Sequence, residues 1–212
     1  MSPRSAASHL FAMIVAAVAW PTLLLQYWLT IWTGPLGEVT VRYFSFFTIL
    51  SNVLVGLVSA ASVIGGNWAP LRVLRTPGAR GLAAVSIMVT CLVYATMLQG
   101  LWHPLGAQLL ADRSLHYVVP FLYLAWWMAL LPHGTLSWGH AARWLLFPFV
   151  FAVWTFARGA LVHEYPYPFL DVDQLGYPQV LFDCLMVGAL FVVLGLVLIA
   201  TDRALARRMA LT

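Results

Sequence analysis

The chain has 212 residues, of which 62% are hydrophobic and only 8% charged, and its formal net charge is +4 at pH 7. This composition excludes an ordinary soluble domain and is typical of a membrane protein with several spans. All of the basic residues are arginines, and most lie between apolar segments. The positive charge is therefore a topology signal, and we predict no nucleic-acid partner.

Apolar segments long enough to cross a bilayer as helices, about 20 residues each, occur six times. They cover 9–31, 43–65, 81–102, 115–131, 143–163 and 178–201. They lack the alternation of barrel strands, and no connection is long enough for a soluble domain. We predict an all-α polytopic membrane protein, one domain over 1–212, in which six transmembrane helices form a bundle. The first segment exceeds a signal-peptide core, so we expect it to be retained.

The distribution of arginine predicts the orientation. Alternate connections and the two termini carry most of the arginines, namely Arg4, Arg72, Arg75, Arg80, Arg143, Arg203, Arg207 and Arg208. The intervening connections hold only Arg42 and Arg113. By the positive-inside rule, both termini are expected in the cytoplasm, and the connections before the second, fourth and sixth segments are expected outside.

Polar side chains interrupt the second segment near its outer end. Ser45, Thr48 and Asn52 are spaced at i, i+3 and i+7, so on an unbroken helix they share one face. Hydroxyl groups in membrane helices most often bond their own backbone or a neighbouring helix. Taken alone, this stripe indicates helix packing rather than catalysis.

A histidine enters the membrane from the same side. His116 lies near the start of the fourth segment, at about the depth of Ser45, and precedes Pro120 by four residues. Because proline has no N–H, we expect the carbonyl of residue 116 to lack its helical donor. A hydroxyl beside a histidine provides a nucleophile and its base, so the pattern suits acyl transfer or ester hydrolysis on a substrate that enters from the bilayer.

Two charged side chains intrude at the same end. Arg158 lies about one turn inside the fifth segment, and Asp183 lies about one turn inside the sixth. An ionised group in a membrane requires a partner. We expect either a structural Arg158–Asp183 ion pair or an anion site, in which Arg158 holds a carboxylate or stabilises an oxyanion. Asn52 is the second candidate for an oxyanion contact, and Asp171 or Asp183 is a candidate to orient His116.

The sequence predicts no cofactor and no metal. Cys91 and Cys184 fall inside apolar segments, where cysteines are packing residues, and no Cys/His spacing fits a metal. A haem held by two histidines requires a facing pair, and His103 and His116 are separated by a loop containing Pro104.

Three sequence motifs resemble those of the androgen-induced family of six-helix membrane hydrolases. They are Arg42-Tyr43-Phe44-Ser45-Phe46 at the start of the second segment, His116 shortly before Pro120-Phe121, and Tyr167-Pro168-Phe169-Leu170-Asp171 before the last segment. The run from Arg158-Gly159 to Asp171 is similar to the bacterial branch in particular.

The resemblance implies a hydrolase of fatty acid esters of hydroxy fatty acids, placed in a bacterial cytoplasmic membrane. The family's nucleophile position falls on Ser45 and its base on His116. The family uses threonine where this chain has serine, and Thr48 is the alternative nucleophile. The expected partners are the bilayer and a lipid ester substrate. The alternative is a non-enzymatic membrane protein, either a carrier or a binding or assembly protein. In that case the Arg158–Asp183 pair would act as a translocation gate or a structural clasp.

Overall fold

The computed structural model describes residues 3–209, with the side chains of 5–208, and every regular element in that range is helical. The α-helices are α1 (Pro3–Thr30), α2 (Leu36–Phe44), α3 (Phe47–Ile64), α4 (Ala69–Leu74), α5 (Pro77–Val93), α6 (Gly106–Arg113), α7 (Val119–Leu130), α8 (Gly139–Trp144), α9 (Leu146–Val162) and α10 (Val172–Met209). Two π-helical turns, Tyr94–Leu98 and Ser114–Val118, extend α5 and join α6 to α7. Short 3₁₀ turns occupy Ile31–Thr33 and Pro168–Leu170. The predicted all-α class is confirmed.

Within the described residues, five helical segments are long and apolar enough to cross a membrane. They are Ser5–Thr33, Phe47–Ile64, Pro77–Leu98, Gly139–Val162 and Val172–Arg208. The predicted fourth span, 115–131, is not among them. It falls on the second π turn and α7, and α7 alone has only 12 residues. Its apolar character is diluted by tyrosine, tryptophan and histidine, which suits a helix packed among other helices.

The helices α1, α3, α5, α7, α9 and α10 run alternately up and down, so the connections gather at two ends of the bundle. At one end, Tyr123 Oη donates to the carbonyl of Arg80, and Arg203 lies over the ring of Trp138 at 4.6 Å. We call this the arginine end, since Arg72, Arg75 and Arg143 also lie there. The opposite end, where α3 begins and α5 and α9 finish, carries Thr48, His116 and Tyr167; we call it the site end.

Small and β-branched residues allow close helix packing between the two ends. Val15 of α1, Val55 of α3, Ile87 of α5 and Val119 of α7 are all fully buried. Large apolar side chains on the outer faces of α9 and α10, such as Phe149 and Leu185, are instead exposed at 64% and 70%. An outward apolar surface of this extent is compatible with an integral multi-pass membrane protein.

A buried carboxylate fastens the arginine end. Asp202 of α10 accepts from His133 Nδ1 at 3.1 Å and from the backbone N–H of Leu136 at 3.0 Å. His133 Nε2 faces the carbonyl of Met128 at 3.0 Å, so both ring nitrogens meet oxygen acceptors. The side chains of Asp202 and His133 are almost completely buried. This network ties the connection after α7 to the last helix.

Replacing Asp202 by alanine is expected to lower the free energy of unfolding by about 3 kcal/mol, because it leaves a buried N–H and a buried imidazole without their partner. Denaturant unfolding in detergent measures the change. Glu38→Ala, at an exposed acid of α2, is the control and should change stability by less than about 0.5 kcal/mol. A loss for Asp202→Ala as small as that of the control would contradict a fastening role.

Candidate functional site

The polar stripe predicted for the second apolar segment is divided by a break between two helices. α2 ends at Phe44, Phe46 is extended with φ −93° and ψ 129°, and Thr48 is then the second residue of α3. Helical spacing therefore relates Thr48 to Asn52 but does not relate Ser45 to Thr48. The stripe through 45, 48 and 52 is wrong in its first member, because it assumed an unbroken helix.

Ser45 has partners away from the histidine. Its hydroxyl donates to the carbonyl of Val41 at 2.7 Å and accepts from the indole N–H of Trp154 at 2.9 Å. The residue is only 1% exposed. The structure thus brings Ser45 to α9, and it brings Thr48, the predicted alternative nucleophile, to His116.

Both helices that face Thr48 leave the α-helical register at the site. The N–H of Gln99 bonds the carbonyl of Tyr94, and the N–H of Val119 bonds that of Ser114, each five residues back. Single π turns of this kind often occur at functional sites. In this register, the carbonyl that Pro120 leaves without a donor belongs to Leu115, not to His116 as the α-helical spacing predicted.

Asn52 links α3 to the second π turn through two hydrogen bonds. Its amide nitrogen donates to the carbonyl of Thr48 at 2.8 Å and to the freed carbonyl of Leu115 at 3.2 Å. The side chain is fully buried, and its Oδ1 has no partner. Asn52 was predicted to contact an oxyanion; the structure gives it instead two backbone carbonyls, which fixes α3 against the second π turn.

A hydroxyl, an imidazole and a carboxylate are arranged in series. Thr48 Oγ1 lies 3.3 Å from His116 Nε2, and His116 Nδ1 faces the carbonyl oxygen of Asp112 at 2.8 Å and its carboxylate Oδ1 at 3.3 Å. The backbone carbonyl oxygen and the carboxylate Oδ1 of Asp112 can only accept, so Nδ1 carries a hydrogen. Nε2 of the neutral ring is then left as an acceptor. The ring is therefore oriented to take a proton from Thr48.

Tyr94 holds the imidazole in place. Its ring stacks on His116 with centroids 3.7 Å apart and planes 12° apart, and its hydroxyl donates to Asp112 Oδ2. Tyr94 belongs to the first π turn and His116 to the second, so the two π turns contact each other through these rings. The carboxylate and the imidazole are thus positioned by the same phenol.

Tyr167 covers the N-terminus of α3. Its hydroxyl oxygen accepts from the backbone N–H of Thr48 at 3.1 Å and lies 3.3 Å from Thr48 Oγ1. Burial raises the pKa of the Tyr167 phenol above its ordinary value, and the hydrogen bonds from the Thr48 hydroxyl and backbone oppose that rise. The phenol stays protonated at neutral pH and keeps a hydrogen to donate.

Tyr167 is carried by the loop between α9 and α10, which is fastened to α9. His163 ends α9 in the left-handed conformation with φ 54°. The chain then turns back, and the guanidinium of Arg158 donates to the carboxylate of Glu164 at 2.5 Å and to the backbone carbonyl of Glu164 at 3.1 Å. A Cβ on Gly159 would lie 2.1 Å from the ring of Tyr165, so the loop packs where only glycine fits.

The predicted Arg158–Asp183 pair is therefore wrong. Glu164 follows Arg158 by six residues and reaches it through the turn at His163, whereas Asp183 accepts from Gln179 on its own helix at 2.9 Å. Asp171 caps α10 by accepting from the N–H of Gln174 at 3.1 Å, so its carboxylate is occupied away from His116. The group beside His116 is Asp112, which the sequence analysis did not select.

Two cavities reach Thr48. One, of about 330 Å³, is lined mainly by α5, α9 and α10, and the other, of about 360 Å³, is lined by His116, Asp112 and Gln108 among others. Thr48 and Tyr167 line both. Thr48 thus borders a cavity on two sides although the residue is only 8% exposed.

Sequence reasoning missed Asp112 and Tyr94. Asp112 precedes His116 by four residues, and this i, i+4 spacing on one helix face was a usable signal. Tyr94 had no comparable signal, because its contact with His116 crosses two helices and depends on both π turns.

Within residues 5–208, no group of three His, Cys, Asp or Glu side chains is placed to hold a metal ion. Cys91 and Cys184 are both free and half-buried.

Comparison with known proteins found no match to a family model, to a curated protein or to a solved structure.

The contact between Arg158 and Glu164 predicts an energetic coupling that Arg158 and Asp183 lack. A double-mutant cycle of alanine substitutions at Arg158 and Glu164 is expected to show about 0.5–1 kcal/mol of coupling in the free energy of unfolding. The matched cycle between Arg158 and Asp183 should be additive within about 0.3 kcal/mol. The reverse pattern would restore the pair predicted from the sequence.

Proposed function

We propose that the chain is an intramembrane hydrolase of lipid esters in which Thr48 is the nucleophile and His116 the general base. The observation that supports this most directly is the contact of Thr48 Oγ1 with His116 Nε2 at 3.3 Å, with His116 Nδ1 directed at Asp112. A hydroxyl becomes a useful nucleophile when an adjacent base is itself oriented by a third group. Asp112 is the orienting group, and Tyr94 positions it.

In the first step, Thr48 Oγ1 attacks the ester carbonyl carbon while its proton passes to His116 Nε2. The imidazolium that forms is stabilised by the carboxylate of Asp112, which stays ionised. The carbonyl oxygen becomes an oxyanion in the tetrahedral intermediate. It forms beside the N-terminus of α3, where the helix dipole favours negative charge.

Tyr167 is the donor closest to this oxyanion. Its hydroxyl lies 3.3 Å from Thr48 Oγ1, and its proton is retained. As the intermediate forms, the phenol hydrogen turns to the oxyanion, and the Thr48 N–H continues to polarise the phenol. A donor aimed at the developing charge lowers the barrier without binding the ground state more tightly.

The intermediate then collapses with cleavage of the bond between the carbonyl carbon and the alcohol oxygen. His116 returns its proton to the departing alkoxide, so that the alcohol leaves and the acyl group remains on Thr48 as an acyl-threonine ester. Water enters, gives a proton to His116 and attacks the acyl carbon. Collapse of the second intermediate releases the carboxylic acid and restores the Thr48 hydroxyl, so atoms and protons balance over the cycle.

The lipid substrate and the topology are part of this proposal. Five helices are long and apolar enough to cross the membrane; in this proposal α6, the second π turn and α7 together form a sixth span, and the arginine end and both termini lie in the cytoplasm. The site then faces the outer leaflet of a bacterial cytoplasmic membrane. The resemblance to the androgen-induced family supports esters of hydroxy fatty acids as the substrate class.

The carrier alternative loses its motivating observation. It rested on an Arg158–Asp183 gate, and Arg158 contacts Glu164 instead. Among the hydroxyls deeper in the bundle, Ser51 bonds Thr90 at 2.8 Å and Ser59 donates to Val55 at 2.8 Å, whereas the buried hydroxyls of Ser86 and Thr155 have no partner. The loss of the proposed gate, and not the state of these hydroxyls, is what favours an enzyme.

Thr48→Ala is expected to lower kcat for a nitrophenyl ester on the order of 10³-fold or more, because the attacking oxygen is removed. It should also abolish labelling by a fluorophosphonate probe. Ser45→Ala is the matched control and should keep both activities, and Thr48→Ser should keep most of the labelling. Loss in Ser45→Ala alone would move the nucleophile to Ser45, and full activity in both variants would end the hydrolase proposal.

Tyr167→Phe is expected to lower kcat by about 10²-fold to 10³-fold with little change in KM, because the intermediate loses a donor while the resting site loses only the acceptor of the Thr48 N–H, which does not contact substrate. The phenyl ring preserves the packing of the loop. Tyr165→Phe, at a tyrosine that lines neither cavity, should leave both constants unchanged. A change confined to KM would show that Tyr167 acts in binding and not on the oxyanion.

A further inference from the structure

Two separate cavities meet at Thr48, and their walls differ in chemistry. The cavity lined by α5, α9 and α10 has no charged side chain among its described lining residues; we call it the α9 cavity. The cavity that contains Gln26, Gln108, Asp112 and His116 we call the α6 cavity. Thr48 and Tyr167 belong to the wall that the two cavities share.

The position of His116 decides which part of an ester enters which cavity. His116 lines the α6 cavity and not the α9 cavity. The proton that His116 takes from Thr48 must be returned to the departing alkoxide, so that oxygen has to lie within reach of Nε2. The alcohol half of the ester therefore occupies the α6 cavity. The acyl half leaves the carbonyl carbon in the other direction and meets the α9 cavity.

The α9 cavity suits a hydrocarbon chain. Phe149, Ala152, Leu185 and Phe191 are typical of its lining. Its deepest hydroxyl, that of Thr90, is already bonded to Ser51 at 2.8 Å and to the carbonyl of Ser86 at 3.1 Å. An alkyl chain in this cavity buries apolar surface and leaves no polar group newly unsatisfied.

We propose that the α9 cavity is the acyl-chain site and that its free volume sets the length of the acyl chain that the enzyme accepts. This inference rests on the proposed hydrolase function. It specifies the orientation of the ester in the site: the acyl chain lies toward α10, and the alcohol lies toward α6.

Gly188 offers a way to shorten the cavity. It lines the α9 cavity, and a Cβ built on it would meet no atom within 4 Å. Leucine at this position adds volume where space is free, so the helix is not forced apart. Gly37 also has nothing within 4 Å of an added Cβ but lines neither cavity, which makes Gly37→Leu the matched control.

The experiment compares the purified full chain with Gly188→Leu in detergent on two ester series. In the first, the acyl group varies from acetyl to palmitoyl on a fixed nitrophenol. In the second, the acyl group is fixed as butyryl and the alkanol varies over the same lengths. Gly188→Leu is expected to lower kcat/KM for the longest acyl group by about tenfold or more, while acetyl esters and the whole alkanol series stay unchanged.

Gly37→Leu should match the parent on every ester. If Gly188→Leu unfolds at lower denaturant, Ala152→Leu on the opposite wall repeats the test. A shift in the alkanol series in place of the acyl series, or an equal loss on all esters, would overturn the assignment. If the parent cleaves no ester, or if Thr48→Ala cleaves esters as the parent does, the hydrolase proposal itself fails. These two results can be distinguished from the results that overturn only the acyl-chain assignment.

Discussion

The site depends on two helices that abandon the α-helical register at the same depth. Tyr94 and His116 each lie in a π-helical turn, and their rings stack 3.7 Å apart. The second turn is coupled to Pro120, which has no N–H for the carbonyl of Leu115; Asn52 supplies that donor from α3. Without the two turns, His116 would point in another direction, and the series from Thr48 to Asp112 would not form.

A second constraint is the start of α3. Because the chain is extended at Phe46, Thr48 stands in the first turn of a helix, with its own N–H free to bond outside the helix. The hydroxyl of Tyr167 takes that N–H. The Thr48 hydroxyl, the positive end of a helix dipole and the Tyr167 phenol are thereby brought to one point, which is the arrangement that the proposed oxyanion-forming reaction requires.

The loop that supplies Tyr167 is held by interactions outside the catalytic series. Arg158 contacts Glu164, and Tyr165 packs over Gly159 where no side chain fits. An ionised side chain near the bilayer thus serves the site indirectly, by fixing a loop. The same loop lines both cavities through Tyr167, so its position bears on both the proposed oxyanion contact and the proposed placement of the substrate.

Composition and hydropathy were sufficient to predict the helical class and five long apolar helices, but not the short, interrupted helix over 115–131, because a bilayer requires about 20 apolar residues per span and a fully bonded backbone. The contact of His116 with a hydroxyl was also predictable, because an ionisable residue in a membrane requires a polar partner. The identity of the hydroxyl was not. Spacing placed Ser45 and Thr48 on one face, and this holds only if the helix is unbroken.

Tertiary structure decided the remainder. The break after Phe44, the second π turn and the position of Tyr167 each involve contacts between residues far apart in sequence: Trp154 with Ser45, Asn52 with Leu115, and Tyr167 with Thr48. Local spacing carries no information about such contacts. The sequence by itself determined that a base and a hydroxyl lie near one end of an apolar helical bundle. Only the packing of helices against one another determined that the hydroxyl is that of Thr48, because a side chain's direction is set by the backbone register that its distant neighbours stabilise.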